Sequence, residues 1–364
     1  MNSKNEKIKR KYFRWLREAN GLSELTVCAV EKAIWLYEDF TNHGDFAGFN
    51  QSKAVRLKKW LLSRTYRGKP VSITTVYHYL RHLKRFFVWL SGQPGYKSRI
   101  SLDSVSYLSL EKKKVREATA PKRVKYPSLE YVRNLADSID VRNEIDQRDR
   151  ALIAFLLLSG MRDKAVSTLP IGCFDTQTLE IQQDPVAGVD TKFGKSFISV
   201  LFRFDDKLVE YVINWVKYLT ETKLFASTDP LFPRSRVEQV EGGLTFISRQ
   251  VEGVYWKGAG SIRQILKVRS AKAGLNYYHP HSYRHTAVSL AMRYCRNAEE
   301  IKAVSQNFGH DYIGTTMVTY GTLDDFRVEE IIRGMDFSAG CCKVNQNQVI
   351  EDVLRQLEKL KKNS

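Results

Sequence analysis

A charge-rich segment near the end of the first third of this chain constrains its fold most. From 111 to 125 the sequence reads EKKKVREATAPKRVK, in which cations dominate and a proline interrupts. Such a stretch has too little apolar surface to offset the entropy lost on packing. It therefore predicts an exposed linker between two domains. The predicted parts are a first domain over 1–110, a linker over 111–127, a second domain over 128–337 and a C-terminal tail over 338–364.

The first domain carries the spacing of core helices. Residues 22–41 and 52–63 each place apolar side chains at helical intervals. After Gly68-Lys69-Pro70, Ser72 can cap a further helix with one apolar face and one basic face. Its apolar stripe consists of Val76, Leu80, Leu83, Phe87 and Leu90, and its opposite side of His78, Arg81, His82 and Arg85.

Charge is concentrated in the same part of the chain. The net charge is +18, and residues 1–127 hold 27 Lys and Arg against 10 Asp and Glu, a net of +17, which leaves 31 against 30 elsewhere. A local surplus of this size is typical of a surface that follows a phosphate backbone. We expect double-stranded DNA as the partner, although charge alone also suits RNA, an anionic membrane or a solvated surface. The candidate DNA contacts are Arg81, Lys84, Arg85, Lys113, Arg116, Lys122 and Arg123.

The second domain mixes helices with a small sheet. Residues 148–159 are apolar almost all round and end at Gly160, which predicts a buried helix. Two short strand patterns, 178–182 and 196–202, flank a turn that carries Lys192 and Lys195. The predicted fold class is therefore mainly α with a small antiparallel β-sheet (α+β).

Three kinds of side chain that act on phosphodiesters lie close together near the C-terminal end. The sequence reads HSYRHT at 281–286, FGH at 308–310 and TTMVTY at 315–320. Guanidinium groups hold phosphate oxygens, imidazoles move protons, and a phenol can form a covalent phosphate ester. Taken singly, a tyrosine or an arginine of this kind is more often a core or salt-bridged residue. The ordered set points instead to covalent phosphoryl transfer on DNA.

These motifs, together with LSGMR at 158–162 and TKFGK at 191–195, resemble the tyrosine recombinases of the phage integrase family. The resemblance implies a helical core-binding domain followed by a catalytic domain. It also implies that DNA is cut and rejoined through a 3′-phosphotyrosyl link, in the integration, excision or transposition of a mobile element. The implied active-site residues are Arg162, Lys192, His281, Arg284, His310 and Tyr320.

The chemistry of these side chains suggests a role for each. Arg162 and Arg284 would clamp the nonbridging phosphate oxygens, because a planar guanidinium stays charged and binds in a bidentate way. Lys192 would protonate the leaving 5′ oxygen, with Lys195 as the alternative acid. His281 and His310 would orient oxygens or move the proton of Tyr320. The family often has an acidic residue three positions after its first arginine, where this chain has Ala165.

No cofactor is implied, because no nucleotide-binding loop and no carboxylate cluster stands out, and the cysteines lack the spacing of metal ligands. The N-terminus lacks the apolar core of a signal peptide, and the apolar run at 151–158 is too short to span a bilayer. We therefore expect a cytoplasmic protein, in a prokaryotic cytoplasm or nucleoid, without a membrane partner.

Several alternatives stay open. A type IB topoisomerase-like enzyme would use the same chemistry, and a non-catalytic DNA-binding relative would keep the fold alone. The tail has apolar residues at 350, 353, 357 and 360, which predict a helix that docks either on its own domain or on a neighbouring protomer. Docking on a neighbour would favour a dimer or tetramer on DNA. The segment 233–260 has no readable pattern.

Overall fold

The structure, a computed structural model, describes residues 2–120, 125–236, 238–239, 246–247 and 249–310. The chain divides into two compact units, 1–122 and 123–364. Each unit has its own hydrophobic core. The predicted fold class is confirmed, since helices dominate and the strands form small antiparallel pairs.

The first unit is a group of helices with one short β-ribbon. Its helices are α1 (Ser3–Glu18), α2 (Glu24–Phe40), α3 (Gln51–Ser63), α4 (Ile73–Ser91), α5 (Leu102–Ser106) and α6 (Lys112–Thr119). Strands β1 (Thr65–Tyr66) and β2 (Lys69–Pro70) pair between α3 and α4. The predicted stripe of α4 is buried, and Ser72 caps the helix by accepting a hydrogen bond from the Thr75 amide.

Part of the segment 111–127, which the sequence predicts to be an exposed linker, is helical. Residues 112–119 form α6, which packs on α4. Ala118 is buried, and its carbonyl accepts a hydrogen bond from the Thr74 hydroxyl. Val115, one turn before Ala118, is partly buried, and most other residues of the helix are exposed.

The second unit is built around one buried helix. Its helices are α7 (Leu129–Asp137), α8 (Glu144–Ser159), α9 (Asp163–Ser167), α10 (Asp206–Lys217), α11 (Gly260–Lys272), α12 (Pro280–Tyr294) and α13 (Ala298–Asn307). The predicted apolar helix is α8, which contacts α7, α10 and α12. Every residue from Ala151 to Leu158 is buried. No helix in the described ranges has both the length and the apolar content to cross a bilayer.

The predicted small sheet is also present. Strands β3 (Glu180–Gln183) and β4 (Phe197–Val200) are antiparallel, with Gln183 opposite Phe197 and Glu180 opposite Val200. The segment 233–260, which has no readable sequence pattern, contains two further antiparallel ladders. Here β5 (Arg234–Ser235) pairs with β8 (Val251–Glu252), and β6 (Glu238–Gln239) pairs with β7 (Phe246–Ile247).

A buried ionic cluster fixes the start of this segment to the helices. Arg148 donates to the Pro233 carbonyl and to the Ser235 hydroxyl, both at 3.0 Å. Asp149 accepts hydrogen bonds from Arg148 with one oxygen and from Arg269 of α11 with the other, at 2.7 and 2.8 Å. Because each buried charge has an opposite partner, the desolvation penalty is offset. The cluster thus ties α8, α11 and β5 together.

We expect Asp149→Ala to destabilise the protein by about 3–5 kcal/mol, because it leaves two guanidinium groups without their shared carboxylate. The matched control is Asp140→Ala. Asp140 pairs with Arg142 on the surface, where the two side chains are 71% and 80% exposed, and its loss should leave the free energy of unfolding almost unchanged. Denaturant unfolding of the full chain measures both variants. Equal costs would contradict a role for the cluster in stability.

Candidate active site

Arg162 follows a sharp turn at the end of the buried helix. Gly160 ends α8 in the left-handed conformation, with φ +55°. A Cβ at Gly160 would overlap the ring of Phe308 and lie 3.2 Å from the Ala287 Cβ. The position requires a left-handed backbone and leaves no room for a Cβ, and only glycine satisfies both conditions. The chain can therefore turn at Gly160 while α12 and Phe308 remain in close contact with this residue. Arg162 then emerges half-buried at the N-cap of α9.

Arg284 joins three segments that are far apart in sequence. It lies on α12 with 3% of its surface exposed. Its Nη1 donates to the Gly160 carbonyl at 2.8 Å, and its Nη2 donates to the Phe308 carbonyl at 2.7 Å. Nη2 also lies 2.8 Å from Nε2 of His310. The first arginine turn, the His-x-x-Arg helix and the second histidine therefore converge on one guanidinium.

This contact assigns the tautomer of His310. Arginine has donors but no acceptor, so Nε2 of His310 must accept the hydrogen bond and cannot carry a proton. The imidazole is then neutral, with its proton on Nδ1.

The backbone places His310 through the end of α13. Gly309 has φ +66°. Its amide donates to the Gln306 carbonyl at 2.7 Å, and the His310 amide donates to the Ser305 carbonyl at 3.0 Å. These two hydrogen bonds form a Schellman motif, which ends a helix in one defined conformation. The side chain of His310 is thereby directed by the helix end rather than by a loose loop.

The β3–β4 connection forms the other wall of the site. An open cleft of about 420 Å³ is lined by Arg162, Lys192, Lys195 and His310 among other residues. Lys192 is exposed and begins a single 3-10 turn in which Phe193 has φ +64°. Its Nζ lies 4.7 Å from the centroid of the Phe193 ring, and that of Lys195 lies 5.9 Å from the centroid of Phe197. Both candidate lysines thus line the cleft.

His281 is one helical turn before His285 on α12, and the two rings meet edge to face at 5.0 Å. Although part of His281 is exposed, desolvation, aided by the nearby charges of Arg284 and Arg162, lowers its pKa to about 4. The imidazole is therefore neutral at physiological pH. His285 and Tyr283 are buried, as expected of packing residues.

Two neighbours of the cleft carry no signal of their own in the sequence. Gln183 is buried at the end of β3 and lines the cleft, and its amide donates to the Ser199 hydroxyl at 2.7 Å. Asn307, in the last turn of α13, makes two hydrogen bonds to β4. Neither residue type is diagnostic in a sequence, because its partner is known only after the strands and α13 have packed. Asp163, next to the first arginine, pairs with Arg263 at 3.0 Å.

Some predicted residues belong to other parts of the chain. On the first unit, Arg81, Lys84 and Arg85 of α4 and Lys113 and Arg116 of α6 are exposed. Helix α6 packs on α4, and the exposed cations of the two helices are here called the basic surface. Lys122, Arg123, the predicted nucleophile Tyr320, its alternative Tyr312 and the tail 338–364 lie outside the described residues.

Two glycines with the same conformation allow a test of the contact between α13 and β4. Gly274 and Gly309 both have φ +66°, but a Cβ at Gly274 meets nothing within 4 Å, whereas at Gly309 it would lie 2.5 Å from Cζ of Phe197. Gly274→Ala should cost about 1 kcal/mol from left-handed strain. Gly309→Ala should cost about 1–3 kcal/mol more, because Phe197 must move. Unfolding free energies of the two variants measure this difference; equal losses would rule out the close contact.

The low pKa of His281 makes stability depend on pH. An unfolded imidazole titrates near about 6.5, whereas the folded one titrates near 4. Between these values the unfolded chain binds a proton that the folded chain does not, so stability falls as pH drops from about 6.5 to about 4. His281→Gln should reduce this loss. Unfolding measured at pH 7 and pH 5 for both proteins tests it, and an unchanged pH dependence in the variant would contradict the shift.

Comparison with known proteins agrees with this arrangement. The profile of the phage integrase family matches residues 129–326, more than half of the chain. A comparison with curated protein sequences gives no match.

Three solved structures share the fold. One is the XerH site-specific recombinase bound to its difH substrate, with 17% identity, a TM-score of 0.58 and coverage of 89% of this chain and 83% of that one. The Tn1549 transposon integrase in complex with transposon right end DNA has 14% identity, a TM-score of 0.57 and coverage of 90% and 98%. A lambda integrase dimer bound to a COC′ core site has 10% identity, a TM-score of 0.59 and coverage of 88% and 97%. With the family profile spanning the motifs that form the cleft, the chain belongs to the phage integrase family, the tyrosine recombinases.

Proposed function

We propose that this recombinase cuts DNA at a specific site, holds the cut end as a 3′-phosphotyrosyl ester on Tyr320, and rejoins it to a new 5′ end. The reaction would serve the integration, excision or transposition of a mobile element. DNA is the proposed partner because the solved relatives named above are bound to DNA. The region where double-stranded DNA is found in a prokaryote, its cytoplasm or nucleoid, is the expected place of action.

One observation carries the proposal. The buried guanidinium of Arg284 bonds to Gly160 and Phe308 and contacts His310. It therefore places Arg162, two residues after Gly160, and His310, two residues after Phe308, on one cleft with Lys192. A cleft of this kind offers a phosphodiester several cations in fixed positions before the substrate arrives.

The proposed first step is an attack of the Tyr320 oxygen on the scissile phosphorus. Arg162 and Arg284 would hold the two nonbridging oxygens. Because two backbone carbonyls fix the plane of Arg284, little reorganisation is needed as charge grows on the phosphate. His310, whose Nε2 accepts from Arg284, would donate its Nδ1 proton in a hydrogen bond to a phosphate oxygen. His281 would contact a phosphate oxygen or accept the phenol proton, which requires a neutral imidazole.

As the bond between phosphorus and the 5′ oxygen breaks, Lys192 would donate a proton to that leaving oxygen. The products are a 3′-phosphotyrosine and a free 5′ hydroxyl, so the bond energy of the phosphodiester stays in the enzyme. Attack by the 5′ hydroxyl of a second duplex reverses the step and exchanges strands. Since the ester stores the energy, the cycle balances without ATP.

The first unit would supply most of the affinity for DNA. We propose that its basic surface on α4 and α6 follows the DNA backbone, with Arg81, Lys84, Arg85, Lys113 and Arg116 among the contacts and Lys122 and Arg123 beyond them. Catalysis would belong to the second unit, and residues 338–364 would contact a neighbouring protomer in a dimer or tetramer on DNA. A dimeric lambda integrase on its core site supports this assembly.

Tyr320→Phe should abolish the covalent protein–DNA adduct and leave DNA affinity nearly unchanged, because the phenol oxygen is needed for the ester and not for backbone contact. A nicked substrate traps the adduct, since the short released strand diffuses away, and a denaturing gel detects it. Tyr312→Phe is the matched control and should keep the adduct. An adduct that persists in Tyr320→Phe and disappears in Tyr312→Phe would identify Tyr312 as the nucleophile instead.

The adduct assay, together with an assay of supercoil relaxation, separates the alternative functions. Absence of any adduct from the unmodified chain on its target would favour a non-catalytic relative. Relaxation of supercoiled DNA regardless of its sequence would favour a topoisomerase.

A further inference from the structure

The outer edge of β4 is closed by one side chain. The Val200 amide donates to Oδ1 of Asn307 at 2.7 Å, and Nδ2 of Asn307 donates to the Val200 carbonyl at 2.9 Å. Strand β3 pairs with the other edge of β4. The amide of Asn307 thus satisfies a donor and an acceptor that a third strand would otherwise take.

A second contact lies three residues earlier on the same strand. Phe197 packs so closely on Gly309 that a Cβ there would be 2.5 Å from the ring. Both contacts come from the end of α13, immediately before His310. Strand β4 is therefore fixed at two points relative to the histidine, one polar and directional, the other apolar.

Asn307 is not needed to end its own helix. The carbonyls of Gln306 and Ser305, in the last turn of α13, already accept hydrogen bonds from the amides of Gly309 and His310. The two hydrogen bonds made by the Asn307 side chain go to β4 instead. Their effect is to attach the strand to the helix end.

This attachment bears on Lys192. The lysine is five residues before Phe197 in the connection that leads into β4, and none of the residues of its 3-10 turn is buried. A turn without buried side chains takes its position from the residues on either side of it. Before the turn, Val189 is buried and the Asp190 amide donates to the Thr168 hydroxyl at 2.8 Å; after the turn, the chain enters β4. The place of the Lys192 ammonium relative to His310 and Arg284 thus depends on how β4 is held.

We propose that Asn307 is a positioning residue, which keeps the Lys192 connection in register with His310 so that the proton donor and the phosphate clamp reach the same phosphodiester. The proposal rests on the function proposed above, in which Lys192 protonates the leaving oxygen. It predicts that loss of Asn307 mimics partial loss of the general acid.

A sulfur substitution tests this directly. In a nicked substrate with a 5′-bridging sulfur at the scissile phosphate, the leaving group is a thiolate, which is far less basic than an alkoxide and departs without a proton. A defect in the general acid is then rescued by sulfur, whereas a defect in the arginine clamp or in folding is not. Single-turnover rates of adduct formation are measured on matched oxygen and sulfur substrates at saturating protein.

On the oxygen substrate we expect Asn307→Ala to be about tenfold slower than the unmodified protein, the effect of about one net hydrogen bond on a barrier. On the sulfur substrate it should be within about twofold of the unmodified protein. DNA affinity should be unchanged, so that the loss lies in the rate and not in binding. Asn307→Asp keeps an acceptor for the Val200 amide but places a second acceptor against the Val200 carbonyl. On the oxygen substrate this variant should be at least as slow as Asn307→Ala.

The controls fix the interpretation. Lys192→Ala should show a larger loss on oxygen and the same rescue by sulfur, and Gln306→Ala, at the adjacent exposed position on α13, should match the unmodified protein on both substrates. Equal losses of Asn307→Ala on both substrates, or no loss on oxygen, would overturn the proposal for Asn307 alone. Failure of sulfur to rescue Lys192→Ala would overturn the general acid of the proposed function and this inference with it.

Discussion

The hydrogen bonds of one buried guanidinium determine how the catalytic unit is arranged. Burying a cation is costly unless its donors are satisfied, and Arg284 meets this demand with the carbonyls of Gly160 and Phe308 and with His310. These partners lie 124, 24 and 26 residues away in the chain. The requirement therefore draws the ends of α8 and α13 against α12. The turn at Gly160 is compatible only with glycine because this convergence leaves no room for a side chain.

Ala165 changes the electrostatics of the cleft that results. Where the family often has an acid, this chain has a buried alanine that lines the cleft beside Arg162 and Lys192. Within the described part of the chain, the residues that line the cleft include no carboxylate. The nearby Asp163 is paired with Arg263 instead. The alanine at this position therefore adds no negative charge to the cleft beside Arg162 and Lys192.

Much of this arrangement could be predicted from the sequence, for reasons that differ between residues. The helix cap at Ser72, the stripe of α4 and the buried α8 follow from local patterns, and the strands around Lys192 follow from alternation and turn residues. The assignment of these motifs to one active site came from the resemblance to a known family. Asn307 and Phe197 could not be found in this way, since an amide or a ring acquires its role only when α13 meets β4. Helix α6 was missed because charged residues dominate its sequence, and the burial of Ala118 against α4 arises only when the two helices pack.

The protonation states of the two histidines couple the site to its substrate. Without DNA, His310 is held neutral by accepting from Arg284, and desolvation with neighbouring cations lowers the pKa of His281 to about 4. A phosphodiester in the cleft brings a negative charge beside these same cations, which favours the protonated imidazole and raises the pKa of His281. In the proposed mechanism, His281 thus becomes a better proton acceptor when the phosphate is bound. The cations proposed to hold the phosphate lower the basicity of His281 in its absence, and the charge of the phosphate offsets that effect.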